Sequence, residues 1–155
     1  MTLRLVAVPP DSDPAQLAGR LASSFGEDPE AAVEILVQTV NLLVRAPRAD
    51  PWGTYLAYDG ESAVGLCAFK AAPDDRGAVE IAYMTFPLHE RKGYARAMAG
   101  ALASMALEAG SALVVAHTLP EENPSNRALR SNGFRFAGET VDPEDGLVWR
   151  WEKSR

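Results

Sequence analysis

Leu3, Leu5 and Ala7 alternate with other residues over positions 3–8, the period of a strand, which Pro9-Pro10 then closes. Asp13-Pro14 and Asp28-Pro29 each pair an N-cap residue with proline at the first helical position, predicting helices over 14–24 and 29–45. In the second of these, Val33, Leu36, Val40 and Leu43 form one apolar stripe, and Ile35 and Leu42 begin another. A helix apolar on more than one face is expected to be well buried, with its second stripe open to a substrate cleft or a homodimer contact. Residues 54–59 and 63–70 predict a hairpin around Asp59-Gly60, followed by a strand over 78–86. An Ala-rich helix is expected over 91–108, ended by Gly110, and an apolar strand over 112–118. A short helix over 125–131 with Gly133 as its cap leads into a closing hairpin of 134–139 and 147–152. Period two puts Leu147, Trp149 and Trp151 on one face of the last strand, expected to be a core face. No repeat or linker interrupts this series, so residues 1–155 are expected to form one α/β domain.

Composition narrows the function classes. A chain of 155 residues with 47% hydrophobic content supports a substantial core. No apolar run approaches the ~18 residues that cross a bilayer, and the N-terminus lacks a signal-peptide pattern. No membrane association is therefore expected. The single Cys67 excludes an intramolecular disulfide and fits a reducing, cytoplasmic setting. Its place in an apolar run makes it a buried small hydrophobe rather than a nucleophile. One Cys and two His far apart in sequence show no metal-ligand spacing. A net charge of −6 argues against nucleic-acid binding and favours a cationic or amine partner.

The most informative segment runs from Glu80 to Met98, a strand, a basic turn carrying Gly93, and the start of the Ala-rich helix. Such a turn leaves backbone N–H groups free at the positive end of a helix, a site suited to phosphate. Small residues at Gly93 and Ala95 let a ligand's phosphates approach those amides.

Pro87, Gly93 and Ala95 at this spacing resemble motif A of the GNAT superfamily, the acyl-CoA-dependent N-acyltransferases. A second block, from Ala116 to Phe134, is similar to motif B of that family. Its Ser125, Arg127, Leu129 and closing Gly133-Phe134 are most similar to the subgroup related to ribosomal-protein N-terminal acetyltransferases. The resemblance implies a mixed, mostly antiparallel central sheet flanked by helices, with acetyl-CoA as co-substrate. It places the phosphates on Arg91, Lys92, Gly93, Tyr94 and Ala95. The strand-edge amides of Tyr83, Met84 and Thr85 would receive the pantetheine arm and the acyl carbonyl, and Asn123 would hold the arm. It also implies a β-bulge that splays this strand from the next. Two positions depart from the family pattern. Glu90 stands where Gln or Arg is usual, and Leu129 stands where many relatives carry a tyrosine acid.

The implied chemistry is direct attack of an amine on the thioester, which needs a base, a polarised carbonyl and a proton for the leaving thiolate. Glu80 and His117 are both candidate bases. Relatives use a Glu at this point of the strand, where apolar neighbours would make a carboxylate a better proton acceptor. The resemblance implies that His117 ends its strand facing the slot, where relatives contact the acceptor and acyl group. With Leu129 in place of the tyrosine, Ser125 and Asn123 remain as candidate acids, although both also suit a helix start, and water could protonate the thiolate instead.

The sequence therefore predicts transfer of an acetyl group from acetyl-CoA to a small or peptide amine. A GNAT-like domain that binds acyl-CoA as a sensor is the alternative. A dinucleotide-binding fold is disfavoured, because the chain has no Gly-x-Gly-x-x-Gly turn and no βαβ series. Fold alone does not select the acceptor.

Overall fold

The structure is a computed structural model that describes residues 2–26, 28–43 and 49–155. Seven strands form one sheet: β1 (Leu3–Val8), β2 (Thr54–Asp59), β3 (Ser62–Phe69), β4 (Ala78–Thr85), β5 (Leu113–Thr118), β6 (Arg135–Asp142) and β7 (Gly146–Lys153). Their spatial order is β1-β2-β3-β4-β5-β7-β6. Every neighbouring pair is antiparallel except β4 and β5, which run parallel. This is the mixed, mostly antiparallel sheet expected.

Helices α1 (Pro14–Phe25) and α2 (Pro29–Leu43) cover one face of the sheet. Helices α3 (Tyr94–Glu108) and α4 (Pro124–Ser131) cover the other. The predicted caps act as such. Asp13 Oδ1 accepts from Ala15 N at 3.0 Å, and Asp28 Oδ1 accepts from Glu30 N at 3.1 Å. In α2, Ala32, Leu36 and Val40 are buried against α1, but Ile35 of the second stripe is 45% exposed. The side chains of Leu42 and Leu43, and the expected helical residues 44 and 45, lie outside the described residues.

Alanine makes α3 a close-packing helix. Met98, Ala99, Leu102, Ala103 and Ala106 recur at three- and four-residue spacing and are all fully buried against the sheet. The approach of α3 to α4 is equally close. A Cβ on Gly100 would stand 2.7 Å from Asn132 Oδ1, while Asn132 Nδ2 donates to Arg96 O at 2.9 Å.

Two expectations need correction. Helix α3 begins at Tyr94 rather than at 91, because Arg91 (φ 65) and Gly93 (φ 87) both take left-handed backbone that a helix cannot contain. On β7, Trp151 is buried and Trp149 packs against the same core, but Leu147 is 49% exposed at the hairpin tip, past the edge of that core.

The sheet opens where β4 and β5 part. Their parallel pairing ends at Ile81↔Ala116, after which β4 pairs with β3 alone and β5 with β7. The β3–β4 ladder keeps its register throughout, from Gly65↔Thr85 to Phe69↔Ile81. The expected splay is present without a bulge in that ladder. It comes from the end of pairing between the two parallel strands.

Candidate active site

One side of the split is a cleft of about 1120 Å³, bounded by Tyr83, Met84 and Thr85 on β4, by Gly93 to Arg96 at the start of α3, and by Pro124, Ser125 and Ala128 on α4. That exceeds the roughly 300–1,000 Å³ of most small-molecule sites and suits a long ligand. At its α3 end, Gly93 is the N-cap and no side chain caps the helix, so the first-turn N–H groups are left for a ligand. Tyr94 anchors this end, its hydroxyl donating to Asp59 Oδ2 at 2.6 Å across to the β2–β3 hairpin.

Glu90 and Arg91 both border the cleft, whereas Lys92 is exposed and does not line it. The residue that departs from the family pattern is thus at the border of the cleft, exposed to solvent. Thr85 Oγ1 is buried on the cleft wall without a hydrogen-bond partner, a polar atom suited to a ligand. These features fit an extended ligand with a phosphorylated end. Asn123 does not line the cleft, and its Oδ1 accepts from Asn126 N at 2.9 Å, capping α4.

Across the width of the cleft, the Tyr83 hydroxyl lies 2.8 Å from Ser125 Oγ, joining β4 to α4 beyond the point where the strands separate. Burial pushes the Tyr83 phenol up, partly offset by the bond to Ser125. Leu129, at the position of the usual tyrosine acid, is fully buried in the core.

The opposite face of the split carries a polar cluster. Strand alternation sends Glu80 of β4 and His117 of β5 to the face away from α3, and the two candidate bases meet there. His117 Nδ1 is 3.3 Å from Glu80 Oε2 and 3.6 Å from Asp142 Oδ2. Neither ring nitrogen completes a well-aligned hydrogen bond within the protein. Glu80 is not surrounded by apolar groups as expected, since its Oε2 is 3.0 Å from Lys70 Nζ. Burial would lower the Lys70 pKa, but the bond to Glu80 and the charges of Glu80, Asp142 and Asp145 outweigh it and raise the value. The lysine therefore stays a cation.

Asp142 was not identified from sequence. Its Oδ1 accepts from Glu144 N at 2.8 Å and Asp145 N at 3.1 Å, which holds its carboxyl below the usual range and leaves Oδ2 facing His117. Glu80, His117 and Asp142 offer ligand atoms within 4.8 Å of one another, a grouping that sequence spacing does not reveal. Lys70 supplies a positive charge to this group. Cys67 is fully buried, as expected, and its thiol is pushed up to about 12 by burial, in keeping with a core residue rather than a nucleophile.

A mixed sheet whose two central parallel strands part beside an uncapped helix start defines the fold class of the acyl-CoA N-acyltransferases. Residues 5–135 match the family model described as the Acetyltransferase (GNAT) domain, and the chain belongs to that family. No curated protein matches the chain by sequence. Among solved structures, it is similar to RimL, a ribosomal alpha-N-protein acetyltransferase, in complex with coenzyme A. That likeness has 19% identity and a TM-score of 0.72, covering 99% of this chain and 94% of the other. The microcin C7 self-immunity acetyltransferase MccE, in complex with acetyl-CoA and AMP, gives 13% identity and a TM-score of 0.71, covering 99% and 92%. A spermidine N-acetyltransferase SpeG chimera from Vibrio cholerae and hSSAT gives 16% and 0.69, covering 98% and 95%.

Proposed function

We propose that this protein transfers the acetyl group of acetyl-CoA to a primary amine, with His117 as the base. The observation that carries this reading is one continuous cleft, running from the uncapped amides of α3 to the free edge of β4. Amides around Gly93, Tyr94 and Ala95 receive the diphosphate. The edge of β4 from Tyr83 to Thr85 holds the pantetheine arm and polarises the thioester carbonyl.

The amine arrives from the face that carries Glu80, His117 and Asp142, where acidic groups attract its ammonium form. His117 accepts its proton, directly or through water, while the carboxylates of Glu80 and Asp142 stand beside Nδ1 and favour the imidazolium that forms. Glu80 is thus a positioning residue rather than the base, because Lys70 and His117 occupy its carboxylate. Attack and collapse yield the amide and CoA, and Ser125 supplies the proton to the departing sulfur. The neighbours include enzymes named for a ribosomal protein and for spermidine, so the acceptor is a protein N-terminus or a small amine. The buried, reduced Cys67 suits a cytoplasmic protein, and exposed Ile35 on α2 offers a surface for a homodimer.

Acetyl-CoA at ~100 times its dissociation constant should stabilise the folded protein by ~2.7 kcal/mol. Gly93→Glu should abolish that gain by setting bulk and negative charge against the diphosphate. Release of free thiol with spermidine, an aminoglycoside or a peptide bearing a free N-terminus would identify the acceptor class. An unchanged melting temperature would overturn the reading. Binding without thiol release from any amine would favour the acyl-CoA sensor instead.

A further inference from the structure

Serine is a weak acid for this task. Donating its proton to a thiolate alone would leave an alkoxide, a far stronger base than the sulfur it protonates. The phenol of tyrosine, with an ordinary pKa near 10, is a much better source. Ser125 Oγ is 2.8 Å from the Tyr83 hydroxyl, and both residues line the cleft. The two groups come from different elements, β4 and α4, so their contact spans the width of the cleft beside the free strand edge. When the phenol donates to Ser125 Oγ, the serine O–H is released to point at a ligand.

We infer that Tyr83 and Ser125 form a two-hydroxyl relay that protonates the departing CoA sulfur, with Tyr83 as the source of the proton. This rests on the acetyl-CoA reading above. As the carbon–sulfur bond breaks, its electron pair stays on sulfur. Sulfur takes the Ser125 proton, Ser125 Oγ takes the Tyr83 proton, and the phenolate regains a proton from water when the product leaves. Burial keeps the phenol protonated at neutral pH, and the serine bond limits that rise. Tyr83 acts through Ser125 and is in that sense a positioning and relay residue. Ser125 is the group that touches sulfur. The relay takes the place of the tyrosine that relatives carry at the position of Leu129, which here is sealed in the core.

The test follows ionisation of the sulfur of bound CoA through the ultraviolet absorbance of its thiolate, which needs no acceptor amine. With the wild-type protein, bound CoA should ionise at lower pH than free CoA, because two donors in series stabilise the thiolate. Tyr83→Phe retains the ring and its packing, and it should return the ionisation toward that of free CoA, as should Ser125→Ala. With acetyl-CoA and the fastest amine identified above, each variant should lose roughly 10²-fold in kcat, the low end for a general acid. The double variant should lose little more than either single one, as expected of groups that act as a unit. A shift removed by Ser125→Ala but untouched by Tyr83→Phe would overturn the relay and leave serine acting alone. Wild-type protein that binds CoA without any change in its ionisation would overturn the pair as donors. Failure of the wild-type protein to bind CoA at all would instead overturn the acetyl-CoA reading, and the relay would fall with it.

Discussion

His117 Nδ1 stands 3.3 Å from Glu80 Oε2, joining two residues from adjacent parallel strands at the level where those strands stop pairing. Glu80 lies one residue before the last β4–β5 pair and His117 one residue after it. Two separate candidates for the base thereby become one assembly. The carboxylates of Glu80 and Asp142 approach the same ring nitrogen, Nδ1, although neither ring nitrogen completes a hydrogen bond to them. Two carboxylates beside one imidazole favour its protonated form over the neutral one, the electrostatic help that a proton-accepting histidine needs.

His117→Ala should lower kcat/KM by roughly 10²-fold, as for loss of a positioned base, and should flatten the acidic limb of the pH–rate profile. Glu80→Gln should cost less, because it perturbs the orientation of His117 without removing the base. Acetyl-CoA affinity should change little in either variant, since neither residue lines the cleft. Steady-state kinetics over a pH series checks the ranking. A larger loss in Glu80→Gln than in His117→Ala would return the base to Glu80.

Glu90 borders the α3 end of the cleft, where the proposed function places the diphosphate, next to Arg91 and the uncapped amides of α3. Its charge opposes a bound diphosphate, and its exposure lets salt screen that repulsion. Glu90→Gln should therefore tighten CoA binding by up to about tenfold, ~1.4 kcal/mol, with more gain at low ionic strength. Calorimetric titration at two salt concentrations measures this. Weaker binding would mean that the carboxylate organises the turn instead.

What could be foreseen from sequence depended on how local each feature is. The uncapped turn before α3 is set by Gly93, Ala95 and the helix that follows, all within a few residues, so its position in the chain was legible in the sequence. The start of α3 was misjudged because Arg91 takes a left-handed conformation that side-chain type does not announce. Glu80 and His117 stood out as residue types, but their contact depends on the parallel register of β4 against β5. Asp142 was out of reach. The closing hairpin was expected, but with its first strand ending at 139. The register shift between Phe136 and Glu139 and the extension of β6 to Asp142 deliver the carboxylate to His117, and neither has a pattern in the sequence. The Tyr83–Ser125 contact is likewise tertiary, set by how α4 packs beside the open end of β4.

Asn126 should be among the least replaceable residues of α4. It is fully buried, its Oδ1 accepts from Thr118 Oγ1 at 2.5 Å and from Trp151 Nε1 at 3.0 Å, and its Nδ2 donates to Glu121 O at 2.5 Å. Asn126→Ala would leave several of these buried groups in want of a partner, at about 1–3 kcal/mol for each left unmet. Trp151 keeps some compensation from Thr118 Oγ1 at 3.1 Å. Denaturant unfolding should show a loss of more than ~2 kcal/mol, beyond that of a typical single substitution. A loss well under ~1 kcal/mol would mean that water replaces the network.

Asp142 should contribute stability that depends on pH. Its backbone bonds to Glu144 and Asp145 hold the carboxyl below its usual range, opposed by burial and helped by the charges of Lys70 and His117. A folded-state pKa below the unfolded value near 3.9 means that the folded protein binds the proton less readily. The contribution is therefore complete above the unfolded value and is lost as pH falls through the depressed folded one. Asp142→Ala should be less stable than wild type at neutral pH, and the gap should narrow as pH falls from about 5 to about 2. Asp142→Asn keeps an oxygen that accepts from both amides, so it should recover part of the lost stability without its pH dependence. Urea unfolding at a series of pH values provides the comparison. A gap between wild type and Asp142→Ala that stays constant across that range would show that the turn is held by shape rather than by the carboxylate's charge.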